Sequence, residues 1–288
     1  MNKLLLTLLL TLLAGTQTWA SAIFAGGVAG VEALAEAGNS TAYRAAGGGL
    51  YLHNNGWGDL SREQQTEVLQ IFTNSPVAIE LGFGGTPGSA RVWAHACRDH
   101  YLALGIHPAF IAANAFAGNN HPTPEQWSGY MAALRTVGTP ADTLILPTFE
   151  YQNFGPNVAT LAQKTVSRQP VFQAIIRAAG GIVLDTPSGY FFSREAAYRD
   201  WVVDAIRWIH AQGLKTVVIV SPHSSKNQFA AHSLRYVDYL RAQLAVPDIF
   251  AVENYSAKPP SGYPNVVGNE NQPNTALGVA RILQLKAN

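Results

Sequence analysis

The sequence predicts an α/β protein, a single-domain (β/α)8 TIM barrel, and three observations carry that prediction. Seven short apolar runs recur at roughly even intervals, and each ends in a polar or acidic residue. Amphipathic segments of helical length fill most of the gaps, the pattern of buried parallel strands alternating with helices. With a weaker eighth strand, the count and a span of about 240 residues match a closed eight-stranded barrel.

In chain order the runs are 48–52 followed by His53, 77–79 followed by Glu80, and 110–113 followed by Asn114. Residues 144–149 then lead to Glu150, 182–184 to Asp185, 217–220 to Ser221, and 249–252 to Glu253. Ser61-Arg62-Glu63-Gln64 has the spacing of a capping box and opens a helix over 61–72. A second helix runs over 87–104. Thr123 caps a third over 124–137, with Pro124 at its first position. Residues 168–179 form a fourth, stopped by Gly180-Gly181. The clearest helix is 193–211, where Ala197, Trp201, Ala205, Trp208 and Ile209 recur at helical spacing before Gly213. Residues 228–244 form another. The prolines and glycine of 256–264 read as loop, 265–268 as the eighth strand, and 275–286 as a closing helix. An open doubly wound sheet is the runner-up, but Gly47-Gly48-Gly49 and Gly82-Phe83-Gly84-Gly85 lack the spacing of a phosphate-binding first turn.

Met1-Asn2-Lys3, the apolar stretch 4–13 and the small residues of Ala20-Ser21-Ala22 read as a signal peptide over 1–22, cleaved after Ala22. The apolar stretch is about half the length a bilayer span needs. Residues 23–46 are then an N-terminal lead-in with a short helix near 28–37, and 47–288 the catalytic barrel. The expected protein is secreted or periplasmic, monomeric, and free of the membrane after cleavage.

With 19 basic and 18 acidic residues the chain is nearly neutral, which argues against a nucleic-acid partner. Charged residues make up only 13% of it, so four acids ending apolar strands stand out. Cys97 is the single cysteine, which excludes an intrachain disulfide, and its helical setting marks it as a packed thiol.

In a barrel the strand-end residues converge on the carboxyl-terminal face, where such folds keep their chemistry. They are His53, Asn55 and Trp57; Glu80; Asn114; Glu150 and Tyr151; Asp185 and Tyr190; His223; and Glu253, Asn254 and Tyr255, with Asn269 and Glu270 closing the ring. Acids and amides match sugar hydroxyls, and Trp57 in the Asn54–Gly58 loop reads as a stacking platform for a pyranose ring. Glu150 and Glu253 flank the centre, as glycosidic bond cleavage by two carboxylates requires, and Asp185 is the alternative catalytic acid. The others bind substrate. No metal motif and no cofactor is expected.

On these residues the chain resembles, in architecture alone, the clan of retaining (β/α)8 glycoside hydrolases, whose acid/base and nucleophile are glutamates after strands four and seven. The resemblance implies a retaining mechanism with Glu150 as acid/base and Glu253 as nucleophile. That clan places Asn before the strand-four Glu, and here Phe149 stands there.

Three rivals remain. A lyase acting on a uronate polymer would use His223 with Tyr255 or Tyr190, but Lys226, Lys258 and Arg194 are the few cations near the mouth. A metal-dependent phosphodiesterase would use His53 and Glu80, yet Gly82 stands where its second acid belongs. A non-catalytic sugar-binding barrel would keep Trp57, Tyr190 and the amides.

Overall fold

The structure, a computed structural model, describes residues 21–114, 122–150, 170–192, 196–222, 228–254 and 267–287. Its strands are β1 (Ala22–Gly27), β2 (Gly49–His53), β3 (Val77–Gly82), β4 (Pro108–Asn114), β5 (Leu144–Glu150), β6 (Gly181–Asp185), β7 (Lys215–Val220) and β8 (Ile249–Asn254). All pair in parallel and in sequence order, and β1 pairs with β8 to close the barrel. Around it lie α1 (Thr41–Ala45), α2 (Asn54–Gly58), α3 (Arg62–Ile71), α4 (Pro87–His100), α5 (Pro124–Thr136), α6 (Pro170–Ala179), α7 (Ser188–Phe191), α8 (Ala196–Ala211), α9 (Phe229–Ala242) and α10 (Ala276–Ala287). No described helix is long and apolar enough to cross a membrane.

The capping box expected at Ser61 is formed, and Thr123, expected as a cap, forms one as well. Ser61 and Gln64 exchange side-chain and backbone bonds at the start of α3, and Thr123 and Gln126 do so at α5. Thr86 and Ser89 add a third at α4. Because βα connections lie at the carboxyl ends of the strands, these capped helix starts surround the barrel mouth.

The strand frame differs from the sequence reading by one. Residues 23–46, expected as a lead-in, contain the first strand, and the run ending in His53 is the second. Strand β1 has the sequence Ala-Ile-Phe-Ala-Gly-Gly and carries no polar terminus. The reason is steric: a Cβ on Gly26 would come within 1.7 Å of the Tyr51 carbonyl oxygen, and one on Gly27 within 2.4 Å of the Asn254 carbonyl oxygen. Glycine is required where neighbouring backbones approach this closely. Val267 and Gly268, half of the expected eighth strand, lie outside any strand, and Val267 donates its N–H to the Ala29 carbonyl. Residues 265 and 266 lie outside the described residues, as do residues 1–20 of the expected signal peptide. Cleavage after Ala22 would remove the first residue of β1, whose N–H bonds the Asp248 carbonyl.

The barrel has two apolar layers. Its interior is filled by Phe24, Tyr51, Ala78, Phe110, Ala112, Leu146, Val183, Val217, Ile219 and Ala251. Aromatic, aliphatic and alanine side chains share the interior, and the Phe24 and Phe110 rings meet edge-on at 5.5 Å. The second layer lies between sheet and helices and includes Trp57, Trp127, Tyr236 and Cys97. Cys97 is fully buried, and burial pushes its thiol up to about 11, the inert packed thiol expected.

At the opposite end from the mouth, Asp248 clamps the start of β7 to β8. Its Oδ2 accepts from the Thr216 N–H at 2.9 Å and lies 3.1 Å from His210 Nε2, while Oδ1 receives Lys215 Nζ at 2.7 Å. Burial raises this carboxyl, but the bonds from His210, Lys215 and Thr216 outweigh it and hold the group well below the usual carboxylate range. The folded pKa is depressed, so its stabilisation is present above the unfolded value near ~4 and is lost as pH falls below it. Asp248→Asn is expected to cost about 1–2 kcal/mol at neutral pH. That deficit should shrink on acidification, which urea melts at several pH values would follow.

Candidate active site

Strand alternation builds the site. Successive side chains point to opposite faces, so residues two apart share the barrel interior. Tyr51, Ala78, Ala112, Val183 and Ala251 belong to the interior filling. The residues two positions on are His53, Glu80, Asn114, Asp185 and Glu253, at the carboxyl ends of β2, β3, β4, β6 and β8. An apolar plug thus carries a polar cap that faces the mouth.

Glu80 sits at the centre of this cap and is 3% exposed. Tyr51 donates its hydroxyl to Glu80 Oε2 at 2.5 Å. The Asn114 amide donates to Oε1, and His53 Nε2 lies 3.2 Å from the same oxygen. Burial raises the Glu80 carboxyl, but His53, Tyr51 and Asn114 together outweigh it and hold the group below its ordinary value. Burial pulls His53 down, and the Glu80 carboxylate more than offsets this. Tyr51 is raised well above its ordinary value, first by burial and then by the charges of Glu80, Glu253 and Asp185. One of these carboxylates, Glu80, bonds the buried hydroxyl directly.

Glu253 is 1% exposed and pairs in register with Gly26, so no side chain from β1 stands between it and β2. Oxygens of Glu80 and Glu253 and a ring nitrogen of His53 all lie within 4.8 Å of one another. Such a triad has the spacing of a divalent-cation site, and no sequence motif announces it. The histidine tautomer opposes that use. His53 Nδ1 accepts the Asn55 N–H at 3.1 Å and caps α2, so the neutral ring carries its proton on Nε2. A metal would need that nitrogen's lone pair.

The other expected site residues fall as follows. Asp185 is half-buried at the end of β6, in register with Glu150. Glu150 ends the fifth strand and Glu253 the eighth, where the resemblance required the fourth and seventh. Asn254 is buried beside Glu253, and Asn55 is exposed with its N–H turned to His53. The side chains of Glu150 and Tyr190 lie outside the described residues, as do Tyr151, His223 and Tyr255.

Trp57 is no stacking platform. It is fully buried, donates Nε1–H to the His100 carbonyl at 3.0 Å and stacks on Tyr101 with ring centroids 6.5 Å apart. The segment read as a mobile loop is helix α2, whose apolar side turns toward α3 and α4. Glu270 does not close the ring either. Its carboxylate accepts the N–H groups of Ala42 and Tyr43, at 3.0 and 2.6 Å, and so binds the start of α1. Asn269 donates to the Asn39 side chain at 2.6 Å.

Two residues of the cap region were missed. Tyr51 sits inside an apolar run and reads as strand filling; the signal was its two-residue spacing from His53. Thr148, two positions before Glu150, has a buried hydroxyl without a hydrogen-bond partner among the described residues.

Fold and site together define a (β/α)8 barrel with a buried carboxylate cluster at its carboxyl-terminal mouth. No protein-family model matches the chain, and no curated protein does. Among solved structures, the chain is similar to the carboxyl transferase domain of Rhizobium etli pyruvate carboxylase with pyruvate and biocytin. That match has 12% identity and a TM-score of 0.49, covering 93% of this chain and 46% of the other. A mandelate racemase/muconate lactonizing protein from Herpetosiphon aurantiacus matches at 13% identity and a TM-score of 0.39, covering 81% and 54%. The chain spans about half the length of these structures. The likeness is one of chain trace, and none of their chemistry carries over.

Proposed function

We propose that this protein is a glycoside hydrolase that cleaves a polysaccharide or oligosaccharide with Glu80 and Glu253 as its carboxylate pair. The observation that carries the reading is two buried carboxylates with oxygens no more than 4.8 Å apart at the barrel mouth, one of them held by three donors. Retaining glycosidases place their carboxyl groups about 5–5.5 Å apart, whereas inverting ones leave about 6.5–9.5 Å for a water. The spacing favours a retaining outcome, with Glu80 in place of Glu150 as the partner of Glu253 and the two roles exchanged relative to the resemblance.

The two carboxylates then divide the work. Glu80, held ionised, is the nucleophile. Glu253, buried with an oxygen within 4.8 Å of that carboxylate, takes the part of the general acid. It gives its proton to the leaving oxygen as Glu80 attacks the anomeric carbon, and afterwards takes a proton from the incoming water. Asp185, half-buried at the neighbouring rim, and Asn114 are placed to meet sugar hydroxyls. The leader-like residues 1–22 support an activity outside the cytoplasm, as a secreted or periplasmic enzyme.

The test is reducing-sugar release from neutral, amino and acidic polysaccharides, with ultraviolet absorbance of an unsaturated uronate followed in parallel. Release without absorbance supports hydrolysis. A rise in absorbance would make the protein a lyase, and binding without any cleavage would leave a sugar-binding barrel.

A further inference from the structure

The partners of Glu80 are unequally shared between its two oxygens. A carboxylate has about four lone-pair positions, two on each oxygen. Oε1 faces two donors, Asn114 and His53, while Oε2 receives only the Tyr51 hydroxyl. One acceptor position therefore stays open, and it is on Oε2.

We infer that His53 is the positioning residue for this carboxylate: with its ring proton fixed on Nε2 by the Asn55 N–H, it locks Oε1 and leaves Oε2 as the atom that reacts. The inference rests on the function proposed above for Glu80, but its structural half stands without it. The backbone sets the tautomer, because Nδ1 is the side-chain cap of α2. Rotation of the ring would break that cap, and Nε2 would leave the carboxylate. His53 is 6% exposed, and among the described residues Glu80 faces its Nε2 while Tyr51 and Glu253 lie close by. Nδ1 is occupied by the Asn55 donor, so the neutral ring has no proton to release there. His53 is thus neither a proton shuttle to substrate nor a cation ligand.

Two measurements test this. Long-range nitrogen–proton correlation spectra of the labelled full chain are expected to show His53 with protonated Nε2 and bare Nδ1. Titration with Zn²⁺ or Mn²⁺ should leave those resonances in place. A proton on Nδ1, or a metal-induced shift at Nε2, would overturn the inference whether or not the protein hydrolyses glycans.

The second measurement is kinetic. His53→Ala is expected to lower kcat by about 100-fold with little change in KM, the loss that follows when a reacting group drifts by an ångström. His53→Gln places an amide donor near the position of Nε2 and should recover most of that loss. Equal loss in both variants, with both folded by circular dichroism, would mean that the ring itself transfers protons and would overturn the inference. If wild type cleaves no glycan, the function proposed for Glu80 fails, and the nitrogen spectra alone decide the tautomer.

Discussion

Glu80→Gln is expected to lower kcat by about 10³-fold or more while leaving a folded protein. The geometry explains why both halves of that outcome should hold. Glutamine has the size of glutamate, and its Oε1 can keep the donors Asn114 and His53. Its Nε2 would then face Tyr51, whose hydroxyl accepts as readily as it donates. No buried polar group loses its partner, so the stability cost should stay within about 1 kcal/mol. What is lost is the negative charge and the nucleophilic oxygen. Glu253→Gln should cause a comparable loss by a different route, because an amide cannot protonate the leaving oxygen. Substrates whose leaving groups need no proton, such as nitrophenyl glycosides, should recover part of that activity in Glu253→Gln and none in Glu80→Gln. Thermal melts beside steady-state kinetics on both variants check the prediction. Full activity in both would move the chemistry to Glu150 or Asp185.

Trp57→Ala is expected to destabilise the protein by about 3–5 kcal/mol, the range for removing a large aromatic from a packed core. The ring is fully buried against Tyr101, and its Nε1–H satisfies the His100 carbonyl at the end of α4. Gln65 donates its side-chain amide to the Trp57 carbonyl at 2.8 Å, so the same residue also secures α3. In a chain of this size the loss corresponds to a fall in Tm of roughly 10 °C. The fraction that stays folded should bind substrate with an unchanged KM. A raised KM at an unchanged Tm would restore Trp57 to the role of a sugar platform.

Much of the fold is legible in the sequence, for physical reasons that can be named residue by residue. Barrel strands are buried on both faces, so they read as apolar runs, and their ends at the mouth read as the first polar residue. Helix starts are legible because Ser61 and Thr123 cap locally, within four residues. The reading slips at β1, where close backbone approach demands glycine and removes the polar terminus that marks every other strand. It slips again at Trp57, whose Asn-Gly-rich surroundings resemble a loop. A five-residue helix packed under α3 and α4 leaves no periodicity to detect.

The sequence by itself determined the barrel, the order of most of its elements and the set of strand-end acids, because alternating burial is a local pattern written every two residues. The tertiary structure decided which of those acids meet. Glu80 and Glu253 are far apart in the chain and come together because closure pairs β1, with two glycines at its end, directly against β8 and β2. The same closure decides that Tyr51 and Asn114 hold Glu80. Proximity, hydrogen bonding and burial across a closed sheet select the carboxylates that do chemistry, and none of these has a local signature.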